Sequence, residues 1–251
     1  MIYKKILNPK FEKLSSFIDR LPEVFESSGE TIYTGRNLIK VFDVDGFKVN
    51  VKRYGIPFVL NRLVYRFIRK PKGLRAYEYP FILADKGIPT PEPIAYLEQR
   101  VNGLIHYSYF VSVQSSYQSQ LYEIGNLEAT DIPKLILSLA QFTAKLHKQE
   151  VYHKDYSPGN ILLHKNEEDT YDFCLVDINR MRFGPVSIKE GCENFARLWG
   201  QPSTFKALAL EYARLRNADP NQCVVWTMQA RNKFWKRQAK KRGVKYNLKF
   251  E

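Results

Sequence analysis

Acidic residues are scarce in this chain. Of its 251 residues, 26 are Asp or Glu against 39 Lys or Arg, a formal net charge of +13. An excess of that size disfavours a cationic substrate and points to an anionic partner: nucleic acid, a membrane surface or a phosphorylated molecule. Cysteine is scarcer still. Cys174, Cys192 and Cys223 are odd in number and show no metal-type spacing, and all three are expected to be reduced. No apolar stretch approaches the roughly 18–20 residues needed to cross a bilayer. Met1-Ile2-Tyr3-Lys4-Lys5 leads into no uninterrupted apolar region, so a signal peptide is not expected. What remains is ordinary for a globular chain: 44% hydrophobic and 26% charged, with length for one domain of two lobes or for two small domains.

The most informative run is His153-Lys154-Asp155-Tyr156-Ser157-Pro158-Gly159-Asn160, followed by the apolar Ile161-Leu162-Leu163. A second apolar run, Phe173-Cys174-Leu175-Val176, ends at Asp177. Phosphoryl transfer to a hydroxyl needs this set: one carboxylate to receive the acceptor's proton, and an amide and a second carboxylate to hold Mg²⁺ on nucleotide phosphates. Each residue alone has a plainer explanation, as a turn cap, a left-handed turn residue or a strand end. Their order, and the apolar strands after Asn160 and before Asp177, carry the chemistry. The pattern resembles the H-R-D-x-x-x-x-N and D-F-G motifs of the protein-kinase-like superfamily, written here H-K-D-Y-S-P-G-N and D-I-N.

The rest of the chain reads as an α+β, two-lobed fold: an antiparallel sheet, then a mainly helical half. Residues 31–33, 38–42 and 47–52 read as a three-stranded meander, with Asp45-Gly46 as a strong hairpin signal. Residues 60–70 and 73–86 read as helices, the second ended by Gly87 and Pro89. Strands are expected over 94–98 and 105–113. The lobes are expected at 1–113 and 121–251, joined by the Gln- and Ser-rich 114–120. Asp131 reads as a helix cap with Pro133 in the first turn, strands follow near 161–164 and 173–176, and the chain from Lys189 reads as mostly helical.

Asp155 is the expected catalytic base, and Asn160 and Asp177 are the expected metal ligands. The superfamily resemblance makes Lys52, at the end of the meander, the lysine for the nucleotide phosphates, with Glu78 as its ion-pair partner. Lys48 and Arg53 are weaker rivals. Gly35, with Arg36 beside it, is the only glycine in the turn that would cover the phosphates. Gln114 and Ser115 are candidates to frame the adenine through the main chain. The five residues Lys52, Glu78, Asp155, Asn160 and Asp177 are expected to converge on a magnesium nucleotide. His153 reads as a scaffold residue bonded to backbone near Asp177, and His106, His147 and His164 read as structural. Ser157 departs from protein kinases, which place Lys two residues after the catalytic Asp.

A narrower resemblance rests on Gly73-Leu74-Arg75-Ala76-Tyr77-Glu78, on Ala84 to Ala95, and on Leu175-Val176-Asp177-Ile178-Asn179-Arg180. These segments resemble the lipopolysaccharide core kinases (Kdo/heptose kinases) over roughly residues 30–200. That family reads I-D-x-D-R where this chain has Asn179 for the second Asp. The resemblance implies ATP- and Mg²⁺-dependent phosphorylation of a Kdo or heptose hydroxyl in the lipopolysaccharide inner core, at the cytoplasmic face of a bacterial inner membrane. The implied partner is an anionic lipid-linked sugar. Three features agree. No A-P-E follows Asp177, so a long peptide-docking segment is absent. Residues 62–75 and 231–245 are both basic and free of acid, and Trp226 and Phe234 recur at helical spacing near the second run. A basic helix with an aromatic edge suits an anionic membrane surface, so 231–245 is the expected contact. Nucleic acid is not expected, because no nucleic-acid motif accompanies the charge. A monomer is expected. The alternatives are a RIO-like or other protein kinase, and a catalytically inactive pseudokinase that only binds; Ser157 fits both, and the sparse Gly35 turn fits the second.

Overall fold

Two hairpins of the same chemistry organise the N-terminal part of the chain. Asp45-Gly46 (φ 48° and 81°) and Asn102-Gly103 (φ 52° and 73°) each put two consecutive residues in the left-handed region, which Asn, Asp and Gly tolerate best. The first joins strands β3 (Asn37–Val44) and β4 (Phe47–Tyr54), and the second joins β5 (Pro93–Val101) and β6 (Leu104–Val113). With β1 (Ile2–Leu7) and β2 (Glu30–Thr34) they form a six-stranded sheet in the order β1-β5-β6-β4-β3-β2, every pairing antiparallel. In this computed structural model the described residues are 2–117, 119–122, 130–242 and 249–250. Gln118 of the expected link and residues 243–245 of the basic run lie outside them. The chain divides into two compact units, Met1–Ser116 and Tyr117–Glu251.

The first unit covers both faces of its sheet. On one face Val49, Val51, Ala95, Leu97, Tyr109 and Val111 are buried against Phe11, Leu14, Phe17, Ile18, Leu21 and Phe25. Those partners come from a single 3₁₀ segment (Pro9–Leu14) and two short helices, α1 (Ser15–Asp19) and α2 (Leu21–Ser27). The opening 29 residues therefore supply six of the fourteen buried residues of this core, and β1 adds an edge strand that sequence reading left unassigned. Each fully buried Phe or Leu contributes roughly 1.5–3 kcal/mol. On the other face runs α4 (Lys72–Asp85), with Leu74 and Tyr77 packed on Tyr96. Gly73 permits this approach: a Cβ there would stand 2.9 Å from the Tyr96 ring and 3.1 Å from Ser108 Oγ. Before it lies α3 (Val59–Phe67), none of whose residues is buried.

The second unit is built on α5 (Asp131–Lys148), α6 (Ile188–Asn194), α7 (Pro202–Arg216) and α8 (Pro220–Arg242). Two small antiparallel sheets accompany them. One holds β7 (Ser119–Gln120), β9 (Ile161–Lys165) and β10 (Tyr171–Leu175) in the order β10-β9-β7; the other pairs β8 (Val151–His153) with β11 (Met181–Phe183). Two expectations need correction. Asp131 does not cap α5; it is the first helical residue, and its carboxylate accepts from Lys165 at 3.0 Å instead. The run 231–245 is not a wholly solvated basic face. Arg231 is fully buried, donating to Gly200 O (2.9 Å) and Lys249 O (3.0 Å) with its guanidinium over the Phe205 ring. Trp235 donates to Leu198 O at 3.0 Å, and Trp226 and Phe234 are half-buried, so α8 turns much of its aromatic character inward.

Tight packing around α6 yields a stability test. A Cβ on Gly191 would fall 1.9 Å from the Tyr212 hydroxyl and 3.0 Å from His147 Nδ1. Gly191→Ala is expected to lower unfolding free energy by roughly 1–3 kcal/mol, read from urea denaturation, because the buried ring of Tyr212 has nowhere to move.

Candidate active site

Within the second unit the chain threads β8, a loop, β9, then β10, a second loop and β11. The pairing is crosswise: β8 with β11 and β9 with β10. Leu175 stands opposite Ile161 and Met181 opposite His153, so both loops are pinned to each other at both ends. Val176 N donates to Asn160 O at 3.0 Å at one end, and Lys154 N donates to Arg180 O at 3.3 Å at the other. Asp155 and Asn160 sit on the first loop and Asp177 on the second. Sequence order alone separates Asp155 from Asp177 by 22 positions; the double pairing brings their loops side by side.

His153 locks this arrangement. It is fully buried, its Nδ1 accepts from Asp155 N (3.1 Å), and its Nε2 faces Val176 O (3.2 Å). An accepting Nδ1 makes the Nε2–H tautomer the donor, so the neutral ring bridges the two loops, as the sequence reading expected of it. Burial pushes its pKa down. Asn160 Nδ2 donates to Asp155 O at 2.8 Å, which fixes the amide across its own loop. Asp177 adopts φ 53°, ψ 40°. Unlike Asp45 and Asn102 it precedes no glycine, and unlike Asn217 it ends no helix, so the left-handed geometry serves the loop itself. Asn179 Nδ2 donates to Asp177 Oδ1 at 2.6 Å and leaves the second carboxylate oxygen to other partners. Among the described residues the buried Asn179 Oδ1 has no hydrogen-bond partner.

Asp155 has company that sequence reading missed. Arg197 Nη1 bonds its Oδ1, and Arg180 Nη1 lies 3.7 Å from its Oδ2. Arg197 comes from the 3₁₀ turn after α6, and its guanidinium lies 5.5 Å from the centre of the Phe234 ring of α8. Arg180 was visible in the Asp-Ile-Asn-Arg segment but carried no role. Arg197 follows Asp155 by 42 residues and no local pattern announces it. Two guanidinium groups around one carboxylate leave the surroundings of Asp155 cationic.

A chain of oriented hydrogen bonds supports the first loop from behind. Arg216 donates to Tyr212 OH (2.7 Å), the Tyr212 hydroxyl meets His147 Nδ1 (2.9 Å), His147 Nε2 meets Asn194 Oδ1 (3.1 Å), and Asn194 Nδ2 donates to His153 O (3.1 Å). The directions agree only when His147 is neutral with its proton on Nε2. Tyr156 adds a second anchor through Thr143 Oγ1 (2.8 Å).

The candidates of the first unit lie on and around its sheet and on α4. Ile6, Tyr96, Phe110, Lys52 and Ile39 are successive cross-strand partners, so they form one row on one face of the sheet. That is the face on which α4 packs. Lys52 Nζ lies 5.4 Å from the Tyr54 ring centre. Glu78, on α4, does not pair with Lys52 as expected: both its carboxylate oxygens accept from Lys70 Nζ at 2.8 Å. Lys70 lies just ahead of α4, eight positions before Glu78. Gly35 and exposed Arg36 lie in the β2–β3 turn, with Gly35 N donating to Asn37 O at 3.1 Å. Gln114 accepts from Asn50 Nδ2 at 2.7 Å and donates its backbone N–H to Lys48 O.

Comparison with known proteins decides the family. The family model described as "Lipopolysaccharide kinase (Kdo/WaaP) family" matches residues 61–206, more than half of the chain. The chain belongs to that family. This makes it a phosphotransferase of lipopolysaccharide biosynthesis. A solved structure described as WaaP in complex with acyl carrier protein is similar, at 18% identity, with a TM-score of 0.61 over 92% of this chain and 99% of that one. At that identity the likeness shows the fold alone, and the fold is protein-kinase-like: an antiparallel sheet followed by a mainly helical part. A crystal structure of WbdD matches at 14% identity and a TM-score of 0.49, covering 80% of this chain and 45% of that one. No curated protein matches in sequence. Among the described residues no helix is long and apolar enough to cross a membrane.

The buried histidine chain predicts a pH dependence. Burial holds the pKa of His147 down at about 4, against an ordinary 6.5. The unfolded chain therefore takes up a proton that the folded one refuses. Stability is complete above about 6.5 and falls as the pH drops toward about 4, by on the order of 3 kcal/mol from this group. Urea midpoints should follow that course, and His147→Phe should flatten it. An unchanged slope in the variant would assign the loss to other groups.

Proposed function

We propose that this protein transfers the γ-phosphoryl group of ATP to a Kdo or heptose hydroxyl of the lipopolysaccharide inner core. The observation that carries the reading is the crosswise pairing that sets the loops of Asp155, Asn160 and Asp177 side by side. Asp155 is the catalytic base, orienting the acceptor hydroxyl and taking its proton late in a loose transition state. Asn160 and Asp177 hold the metal. Their side-chain oxygens are hard donors, and one carboxylate plus one amide is a modest set of the kind Mg²⁺ completes with phosphate oxygens and water. When bound, Mg²⁺ neutralises charge on the phosphates. Lys52 takes phosphate oxygens of the nucleotide, Gly35 and Arg36 cover them through the β2–β3 turn, and Glu78 releases Lys70 to pair with Lys52 in the nucleotide-bound state.

Arg180 and Arg197 favour an acceptor with an anion beside its reacting hydroxyl. Planar guanidinium groups match a carboxylate in two-point fashion, and Kdo is a sugar acid. The same carboxylate displaces Arg197 from Asp155, which frees the base only when the acceptor is present. The surrounding reading is a monomer that works at the cytoplasmic face of the inner membrane, with residues 1–113 and 121–251 as its two lobes and 114–120 as the link. One observation favours a catalytically silent binding module: Glu78 engaged by Lys70 rather than Lys52. A thermal shift on adding ATP and Mg²⁺, followed by transfer of label to core sugar, separates a kinase from a module that binds without turnover.

Asp155→Ala should abolish transfer to the Kdo-bearing acceptor while nucleotide affinity, by calorimetric titration, stays near wild type. Turnover by that variant sinks the assignment. Asp177→Ala should weaken Mg²⁺-dependent nucleotide binding but leave any Mg²⁺-independent component. Arg197→Ala should raise KM for a Kdo acceptor roughly ten- to hundredfold with little change in KM for ATP. Equal effects on both constants would remove Arg197 from the acceptor side.

A further inference from the structure

We propose that α3 and its flanks form a docking element that lies in the surface of an anionic lipid bilayer. The helix carries an apolar stripe at Leu60, Leu63 and Phe67, at i, i+3 and i+7, which Phe58 and Val59 extend at one end and Ile68 at the other. All six are exposed, Leu60 at 79% and Phe67 at 74%. No residue of α3 is buried; the helix is attached through Arg62, which donates from Nε to Ile105 O at 2.8 Å. Water is a poor environment for so continuous an apolar surface, and a soluble chain seldom leaves one without a partner.

The charge around the stripe selects the partner. No Asp or Glu occurs from residue 46 to residue 77, and Arg62, Arg66, Arg69, Lys70 and Lys72 lie within or just after the helix. A short amphipathic helix with bulky apolar residues on one side and cations beside them fits the boundary between acyl chains and anionic headgroups. A second copy of this chain does not fit, because stripe-to-stripe pairing would bring the two sets of cations together. The basic helix α8 is a weaker candidate: Arg231 is buried and Trp235 is bonded inward. The inference is independent of the kinase reading, since lipid binding is measured without turnover.

The test uses the full chain and vesicles of phosphatidylcholine with or without phosphatidylglycerol. Wild type should sediment with the phosphatidylglycerol vesicles, less so at high salt, and remain in solution with phosphatidylcholine alone. The double variant Leu60→Asp/Phe67→Glu should bind at least about tenfold more weakly with an unchanged melting temperature, since neither side chain is buried. Phe67→Trp should show a blue-shifted emission on vesicles relative to buffer. Three results would overturn the proposal: no sedimentation of wild type, equal sedimentation of wild type and double variant, or unchanged vesicle binding while the double variant loses an acidic carrier protein or a self-associated state.

Discussion

His153 accepts from the backbone of Asp155 on one ring nitrogen and donates to the backbone of Val176 with the other. That single buried ring spans the two loops that carry Asp155, Asn160 and Asp177. The strand pairs on either side, β8 with β11 and β9 with β10, give the loops a common frame, and the imidazole adds a side-chain bridge between them. A neutral ring is required, and burial keeps it neutral. The same logic repeats one layer back, where His147, Tyr212 and Asn194 pass a consistent donor-to-acceptor direction up to the carbonyl of His153. Placing the polar network in the core sharpens geometry, because each buried group has one satisfactory arrangement and a costly alternative.

Charge is divided in space according to task. In the interior it is paired: carbonyls accept from Arg231, and the buried Glu98 carboxylate accepts from Arg100 and Tyr96. Around Asp155 two arginines outnumber the single carboxylate they face. On α3 cations accompany exposed apolar side chains. The net charge of +13 is thus not one undifferentiated surface.

Much of the architecture was legible in local patterns. Asp45-Gly46 announced a hairpin, period-two alternation from Phe47 to Lys52 announced a strand, and Pro89 closed the helix before it. The Asp155, Asn160 and Asp177 loops were legible because apolar strands flank them at short range. The opening 29 residues were not. Phe11, Leu14, Ile18, Leu21 and Phe25 are spread over a 3₁₀ segment and two short helices, so no single periodicity runs through them, and their burial comes from the sheet they cover. Trp226 and Phe234 read as an outward aromatic edge for the same reason in reverse: helical spacing reveals a stripe and not what it faces.

The order of residues along the chain by itself determined the strands, the turns between them and the family, since these depend on neighbours a few positions apart. Partnerships across distance were settled only in three dimensions. Arg197 reaches Asp155 across 42 positions because α6 and the turn after it pack beside the first loop. Glu78 meets Lys70 because the segment before α4 brings that amine within 2.8 Å. An ion pair forms with whichever charge the packed backbone delivers, and packing is a property of the whole fold.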